Sequence, residues 1–378
     1  MTNHSALPTP SALIDEKKMS CNIDRMQRRI AELGPRFRPH VKTSKCLEVV
    51  QRQLAAGAQG ITVSTLKEAE NFFAAGIDDI LYAVCLAPNK IEQAASLIDR
   101  GCRLTVVVDS AAAAGMISAR KTPLGKTFRT MIEVDTDGHR SGIRPQSEEL
   151  LEIGKILAGG IAELAGVMTH AGSSYDVDTL EALQEIAEQE RRLCVLAAER
   201  LRGAGYDCPE VSIGSTPTAL SARSLEGVTE VRAGVYVFFD LVMKNVGVCG
   251  IDDIALSVAT TVIGHQPEKG WAIVDAGWMA MSRDRGTQKQ KKDYGYGAVC
   301  DISGAVIPGF MLASANQEHG ILAAENGIAA QDIARIFPIG TQLRILPNHA
   351  CATGAQFPEY RTINNDGSTA VWERFHGW

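Results

Sequence analysis

Short hydrophobic runs rich in β-branched residues recur along the first two thirds of the chain, and a helical pattern follows most of them. Strands alternating with helices predict βαβ units around a parallel sheet, and therefore an α/β fold. Eight such units are what a closed TIM-type (β/α)8 barrel requires, and no G-x-G-x-x-G fingerprint of an open dinucleotide-binding sheet follows any strand. The eight predicted strands lie at 37–42, 61–65, 80–84, 104–109, 130–135, 164–170, 211–215 and 231–239.

The pattern changes after residue 248, where strands separated by turns replace the strand–helix alternation. The segment 331–336 is the main helical exception. This pattern predicts a C-terminal, mostly antiparallel β domain over 249–378, behind a barrel over 22–248. The segment SALIDEKKM in the stretch 1–21 precedes the first predicted helix (22–33), so we expect it to add a strand to the β domain. The predicted C-terminal strands are 255–266, 270–281, 297–309, 341–350 and 368–378.

Composition and charge indicate a globular protein that acts on small molecules. The chain has 45% hydrophobic and 22% charged residues and a net charge of −6, so it lacks the basic excess that nucleic-acid binding needs. No run of about 18 apolar residues occurs, and the charged N-terminal stretch resembles neither a membrane span nor a signal peptide. Nine scattered cysteines without a C-x-x-C pair disfavour a disulfide framework or a zinc knuckle, and a cytoplasmic location is expected.

Polar residues at the carboxyl ends of the barrel strands are candidates for chemistry, because barrel active sites form there. His40 and Lys42 are two apart on the first strand, so we expect both to point into the barrel mouth. A lysine inside a barrel is costly unless it is used or paired, which favours Schiff-base chemistry over the alternative of an ion pair with Asp135. Further strand ends supply Arg140, Thr169, His170, Tyr175 and Arg232.

Two further patterns suggest binding sites. The segment GSTPT (214–218) suits an anion at a helix N-terminus, with Gly234 as a second point of close approach, although a plain tight turn is the alternative. His349 and Cys351, two apart in P-N-H-A-C, would lie on one face of an extended chain and are good zinc ligands. Two ligands are too few for a closed structural site, so the options are an open catalytic metal site or a free cysteine beside a hydrogen-bonded histidine.

Several segments in order along the chain resemble one enzyme family. The chain resembles the D-serine dehydratase and D-threonine aldolase group of pyridoxal phosphate enzymes. The segments that carry the resemblance are RPHVKTSK, EVDTDGHRSG, THAGSSY, GSTPT, EVRAGVYVFFD, VDAGW and PNHACATG. This group is similar in fold to alanine racemase. The resemblance implies an N-terminal barrel, a C-terminal β domain and a homodimer in which the partner subunit closes the active site.

The resemblance also implies the roles of individual residues. Lys42 would carry pyridoxal 5'-phosphate, with His170 against the ring and Tyr175 close to it. Arg140 would approach the phenolic oxygen, and Arg232 would face the pyridine nitrogen. The phosphate would be held by Ser215, Thr216, Gly234 and Val235, and a divalent metal would be bound by His349 and Cys351. Zinc is the expected metal, with manganese, cobalt and nickel as alternatives.

The implied activity is dehydration of a D-β-hydroxy amino acid to a 2-oxo acid and ammonia. D-threo-3-hydroxyaspartate is the expected substrate, with D-serine and D-threonine as further candidates. Trp278 stands where the racemases carry a tyrosine, which disfavours racemisation. Cys351 stands where the aldolases tend to carry aspartate, which favours dehydration. The alternatives are an aldolase that yields glycine and an aldehyde, and a noncatalytic pyridoxal phosphate carrier. Candidate residues for a second substrate carboxylate are Arg283, Arg285, Gln317 and His319.

Overall fold

The structure, a computed structural model, describes residues 7–325, 332–364 and 368–378. It divides into two compact units: a barrel unit of residues 23–234 with 375–378, and a β unit formed by the chain up to Asn22 and residues 235–374. The division at residue 234 differs from the predicted boundary at 248. The reason is non-local pairing, because the Val242 N–H donates to the Asn348 carbonyl at 3.1 Å and ties this segment to the β unit.

The barrel unit contains eight parallel strands, as the hydrophobic pattern predicted. Their order is β2-β9-β8-β7-β6-β5-β4-β3, and a parallel bridge between His40 and Thr62 joins the two ends of the sheet. The predicted eight-stranded barrel is therefore confirmed. Numbered in chain order after β1 (Ser11–Asp15) of the β unit, the strands are β2 (Arg36–Pro39), β3 (Ile61–Val63), β4 (Asp79–Cys85), β5 (Arg103–Val108), β6 (Arg129–Glu133), β7 (Glu163–Met168), β8 (Glu210–Ile213) and β9 (Glu230–Ala233).

Helices connect the barrel strands, and apolar side chains fill part of its interior. Leu81, Val107, Met131, Ala165 and Met168 form one buried cluster on strands β4 to β7, which is the layered packing expected inside a barrel. The helices are α1 (Glu16–Leu33), α2 (Leu47–Ala55), α3 (Leu66–Ala74), α4 (Ile91–Asp99), α5 (Ala111–Ser118), α6 (Glu148–Gly159), α7 (Leu180–Gly203) and α8 (Thr216–Ser221).

The β unit is built on a nine-stranded sheet of order β11-β14-β13-β12-β15-β10-β1-β16-β17. All neighbours pair antiparallel except β1 and β16, which run parallel. The remaining strands are β10 (Leu256–Gln266), β11 (Trp271–Val274), β12 (Gly297–Asp301), β13 (Val306–Ala315), β14 (Gly320–Ala324), β15 (Gln342–Pro347), β16 (Glu359–Ile363) and β17 (Val371–Glu373). The helices are α9 (Leu241–Val246), α10 (Trp278–Met281), α11 (Ile333–Ile336) and α12 (Ala350–Gly354).

The N-terminal strand joins the β unit, as predicted, but it is shorter than the segment suggested. It ends at Asp15, whose Oδ1 accepts the Lys18 N–H at 3.0 Å and so caps α1, which begins at Glu16 rather than at 22. The segment 297–309 is two strands, because Asp301 Oδ1 accepts the N–H groups of Ser303 and Ala305 in a turn. Strands β14 and β16 were not predicted. Within the described residues, no helix is long and apolar enough to cross a membrane.

Candidate active site

Lys42 stands on a turn at the carboxyl end of β2. The strand ends at Pro39, and residues 41–44 form a turn closed by the Lys45 N–H, which donates to the Val41 carbonyl at 2.8 Å. The prediction that His40 and Lys42 share one face of a strand was therefore wrong, and Lys42 is exposed while His40 is half-buried. Lys42 forms no ion pair with any described residue; the Asp135 carboxylate accepts backbone N–H groups in its own loop.

The far end of this turn is held by residues distant in sequence. Lys45 adopts a left-handed conformation (φ 47°), and its carbonyl accepts the Phe375 N–H at 2.6 Å. Its Nζ lies 3.1 Å from Oε1 of the buried Glu68. The Phe375 ring packs edge-on against Phe72, with 4.9 Å between ring centroids. The turn that carries Lys42 is thus fixed by tertiary contacts.

A polar atom and a glycine beside the turn suit a bound group. The Nδ1 atom of His40 is buried without a hydrogen-bond partner among the described residues, which is unusual for a buried polar atom. At Gly234, a Cβ would lie 3.0 Å from the His40 carbonyl oxygen and 3.3 Å from Thr43 Oγ1. Glycine avoids this crowding, and the unpartnered Nδ1 of His40 offers a hydrogen-bonding atom to a bound group.

His170 follows β7 and lies beside Tyr175. Its Nδ1 is 3.0 Å from the Gly214 carbonyl oxygen, and the two rings are 6.1 Å apart at 47°. Burial lowers the pKa of His170 to about 3, and the positive charges of Lys42, Arg140 and Arg232 act in the same direction. His170 therefore presents a neutral ring whose Nδ1–H donates to a carbonyl.

Ser215 caps α8 through a complete capping box. Its Oγ accepts the Thr218 N–H at 3.2 Å, its own N–H donates to Thr218 Oγ1 at 3.0 Å, and the Oγ lies 2.9 Å from Ser174 Oγ. Thr216 is buried in the first turn. The segment 214–218 thus forms the predicted tight strand-to-helix turn. A rigid turn of this kind also orients its backbone N–H groups for an anion.

Arg232 is buried on β9 and hydrogen-bonded across the neighbouring strands. Its Nε donates to Ser212 Oγ at 2.8 Å, and its Nη2 donates to the Thr169 carbonyl. Burial lowers the pKa of Arg232, while Glu230 and Glu190 oppose that shift. At Gly214 (φ 131°), a Cβ would lie 2.2 Å from the Arg232 carbonyl oxygen, so this approach requires glycine.

Glu230 supports this part of the barrel from the same strand. Its carboxylate accepts Ser212 Oγ at 2.6 Å, Arg38 Nε at 2.6 Å and Arg36 Nε at 2.7 Å. Although desolvation favours the neutral acid, the two guanidinium groups lower the pKa of Glu230 to about 2. The buried carboxylate is therefore charged and fully engaged.

Arg140 and Val235 occupy different surroundings. Arg140 lies in the loop after β6, where its exposed guanidinium is 3.5 Å from Glu133 Oε1. Glu133 is buried and also accepts the Cys85 thiol at 3.3 Å. Val235 begins a 3-10 turn in the β unit, and its carbonyl accepts the Phe239 N–H at 2.8 Å.

His349 and Cys351 flank the start of α12 rather than lying in extended chain. The prediction of a shared strand face was therefore wrong, yet the helical turn still brings the two side chains within hydrogen-bond contact. His349 Nδ1 lies 2.5 Å from Asp284 Oδ2, and Asp240 Oδ2 accepts the Ala350 N–H at 2.9 Å. Such a bond to Nδ1 leaves Nε2 available for a metal.

The electrostatics around His349 suit a cation. Desolvation opposes protonation of the ring, but Cys351, Asp284 and Asp240 together raise the pKa of His349 well above its usual value. No group of three or more His, Cys, Asp or Glu side chains in the described part of the chain could enclose a metal. The donor set is thus a soft two-ligand pair in an anionic setting, which fits a divalent metal with open positions.

Comparisons with known proteins agree with this geometry. Residues 14–242 match the family model "Alanine racemase, N-terminal domain", and residues 255–363 match a serine dehydratase domain model. The D-threo-3-hydroxyaspartate dehydratase of Delftia sp. strain HT23 is 64% identical over 373 residues, which is 98% of each chain. The chain belongs to this dehydratase family.

Other members of the family extend the comparison. A solved structure of the Delftia dehydratase has a TM-score of 0.97 and 64% identity, and it covers 99% of each chain. The D-serine dehydratase of Dictyostelium discoideum is 31% identical, over 95% of this chain and 94% of the relative. Family membership and the fold of a racemase-like barrel with a β domain, both predicted above, are confirmed.

The remaining candidates lie in the β unit with different partners. The Arg283 guanidinium lies over the Trp278 ring, 4.8 Å from its centroid. Arg285 Nη2 pairs with Asp293 Oδ2 at 2.7 Å, while Gln317 and His319 lie on an exposed turn. Only Arg285 among these four is therefore committed to an acidic partner by a short ion pair.

Several supporting residues were missed from the sequence. Asp284 contacts His349 across 65 positions, and the buried Glu190 accepts the N–H groups of Ala171 (2.9 Å) and Gly214 (3.1 Å) from another helix. No spacing rule connects such pairs, because each contact forms only when the fold is complete. Glu190 alone had a sequence signal, because it is an acid on an otherwise apolar face of its helix.

Proposed function

We propose that this protein is a pyridoxal phosphate- and divalent-metal-dependent dehydratase that converts D-threo-3-hydroxyaspartate to oxaloacetate and ammonia. The observation that carries the proposal is the 64% identity with the Delftia dehydratase along both domains. Solved structures of a D-threo-3-hydroxyaspartate dehydratase that is 63% identical to this chain include a histidine-to-alanine mutant and a cysteine-to-alanine mutant in the metal-free form. The two mutated positions are two residues apart, as His349 and Cys351 are.

In the proposed enzyme, residues of the barrel unit, together with Val235, would hold the cofactor. Lys42 would bind it covalently, and the unpartnered Nδ1 of His40 beside it supports a bound group there. Pyridoxal phosphate supplies an electron sink that stabilises negative charge at the substrate Cα. The phosphate would be held by Ser215, Thr216, Gly234 and Val235, and the ring would be contacted by Arg140, His170, Tyr175 and Arg232.

The side chains divide the proton transfer and positioning between them. The Lys42 amine would accept the proton of the substrate Cα from one face, which would account for selectivity toward D-amino acids. His170 stays neutral at physiological pH because its pKa is held at about 3, so it would contact the cofactor ring without adding charge. Arg232 keeps a buried guanidinium fixed on Ser212 and Thr169.

The metal pair in the β unit would act on the substrate hydroxyl group. His349 and Cys351 would bind the cation, and zinc is the metal that a histidine–cysteine pair favours over manganese, cobalt or nickel. A bound divalent cation supplies Lewis acidity for a departing β-hydroxyl group. Asp284 orients the His349 ring through its Nδ1 atom.

Location and assembly complete the proposal. We propose a cytoplasmic homodimer: no disulfide joins any of the nine cysteines, all of which the structure describes, which suits a reducing compartment, and the racemase-like fold supports a shared interface. Sedimentation of the holoenzyme at micromolar concentration tests the assembly. A species with the mass of one chain would contradict it.

The metal requirement tests the proposed function directly. Ammonia release from D-threo-3-hydroxyaspartate is measured before chelation, after chelation and after zinc is restored, in the wild type and in Cys351→Ala. We expect chelation to abolish release and zinc to restore it in the wild type alone. Full ammonia release by metal-free protein, or by Cys351→Ala without bound metal, would refute the proposal.

A further inference from the structure

The proposed substrate restricts where its second carboxylate is recognised. In a 3-hydroxy dicarboxylic amino acid, the hydroxyl and the second carboxylate are substituents of the same carbon, Cβ. If the metal on His349 and Cys351 holds the hydroxyl, the carboxylate carbon is only two bonds from that oxygen. The recognising group must therefore lie beside the metal pair. Because the β unit carries that pair, its side chains are candidates for the recognising group.

One loop of the β unit is tied to the His349 segment at two points. Asp284 Oδ2 lies 2.5 Å from His349 Nδ1, and Thr287 Oγ1 donates to Asn348 Oδ1 at 3.2 Å. The loop begins at the buried Ser282, whose φ of 68° is a strained conformation for a residue with a side chain. Asp284 is braced further by its N–H, which donates to Ser282 Oγ at 3.1 Å.

This loop carries two arginines, and their surroundings distinguish them. Arg285 is neutralised by Asp293 at 2.7 Å and also donates to the Gly295 carbonyl at 3.3 Å. Arg283 is exposed and forms no ion pair with any residue that the structure describes. Its guanidinium lies over the Trp278 ring, 4.8 Å from the centroid. Such packing uses the face of the guanidinium and leaves its N–H edges for a planar carboxylate.

We propose that Arg283 binds the second carboxylate of a dicarboxylic D-β-hydroxy amino acid. Arg283 packs on Trp278 and is adjacent to Asp284, which orients the His349 ring. This proposal rests on the proposed function. Arg283 thereby sets the preference for 3-hydroxyaspartate over D-serine, which has no second carboxylate. A charge-assisted pair of this kind changes binding by about 10- to 100-fold.

The test compares two substrates in matched variants of the holoenzyme. Arg283→Met removes the guanidinium but keeps an unbranched side chain over Trp278, Arg283→Lys keeps the charge, and Lys289→Met removes one exposed positive charge elsewhere in the β unit. We expect Arg283→Met to lower kcat/KM for D-threo-3-hydroxyaspartate by about 10- to 100-fold, while kcat/KM for D-serine changes less than about threefold. Arg283→Lys should recover part of the loss, and Lys289→Met should match the wild type.

A binding measurement separates recognition from catalysis. D-aspartate has the second carboxylate but no hydroxyl to eliminate, and D-alanine has neither; their dissociation constants follow from spectral titration. Arg283→Met should weaken the binding of D-aspartate and leave the binding of D-alanine unchanged. Equal losses for both substrates, or no loss for either, would overturn the role of Arg283. If the wild type released ammonia from neither substrate, the proposed function itself would fail instead.

Discussion

The hydrogen bond between Asp284 and His349 makes a quantitative prediction about metal affinity. The Asp284 carboxylate oxygen lies 2.5 Å from His349 Nδ1. It fixes the orientation of the ring and makes Nε2 a stronger metal ligand. Loss of a hydrogen-bond partner of this kind lowers metal affinity by about 10- to 100-fold. The two side chains are 41% and 40% exposed, so solvent screens their charges and favours the lower end of that range. We expect Asp284→Asn to weaken zinc binding about 10-fold.

The assay is competition for zinc between metal-stripped protein and a chromogenic chelator. Asp284→Ala, which removes the acceptor altogether, should bind more weakly than Asp284→Asn. Asp332→Asn is the matched control, because it removes the same charge from a half-buried residue that pairs only with Arg335 among the contacts described. Circular dichroism confirms that each variant is folded. Wild-type zinc affinity in a folded Asp284→Asn protein would refute the orienting role.

Three further predictions concern the barrel unit. Lys42→Ala should lose the visible absorption band of the protein-bound cofactor, and persistence of that band would mean that another lysine carries it. Because the pKa of Glu230 is lowered from 4.5 to about 2, its charge should stabilise the fold above about pH 4.5, and about 3 kcal/mol should be lost as pH falls towards 2. Denaturant unfolding at several pH values should show a shallower acid dependence in Glu230→Gln than in wild type. Phe375→Ala should lower the free energy of unfolding by at least about 0.5–1.5 kcal/mol through loss of the edge-on contact with Phe72, and an unchanged value would show that the Lys45 turn does not depend on it.

The barrel could be predicted because its strands are buried runs of β-branched residues in regular alternation with helices. Local details could not. The apolar pattern continues through Val41, so no local signal shows that the strand ends at Pro39 and that a turn exposes Lys42. Likewise, the extended pattern of P-N-H-A-C concealed the start of α12 at Ala350. In both places a hydrogen bond within one turn overrides the strand pattern.

The contacts that connect distant segments were beyond local pattern. The residues after 234 pack with the β unit because Val242 and Asp240 bond to Asn348 and Ala350, more than 100 positions away. Phe375 reaches the barrel in the same manner, and Asp284 has no motif relation to His349. Family resemblance indicated the candidate site residues. Asp284 and the contacts that hold Lys45 could be identified only from the structure.

The carbon products from D-threo-3-hydroxyaspartate test the central claim most directly. The holoenzyme with zinc is incubated with this substrate, and oxaloacetate, ammonia, glycine and glyoxylate are quantified in the same reaction. Dehydration predicts oxaloacetate and ammonia in equal amounts, with no glycine. Glycine and glyoxylate in equal amounts would mean cleavage of the Cα–Cβ bond and would contradict the assignment.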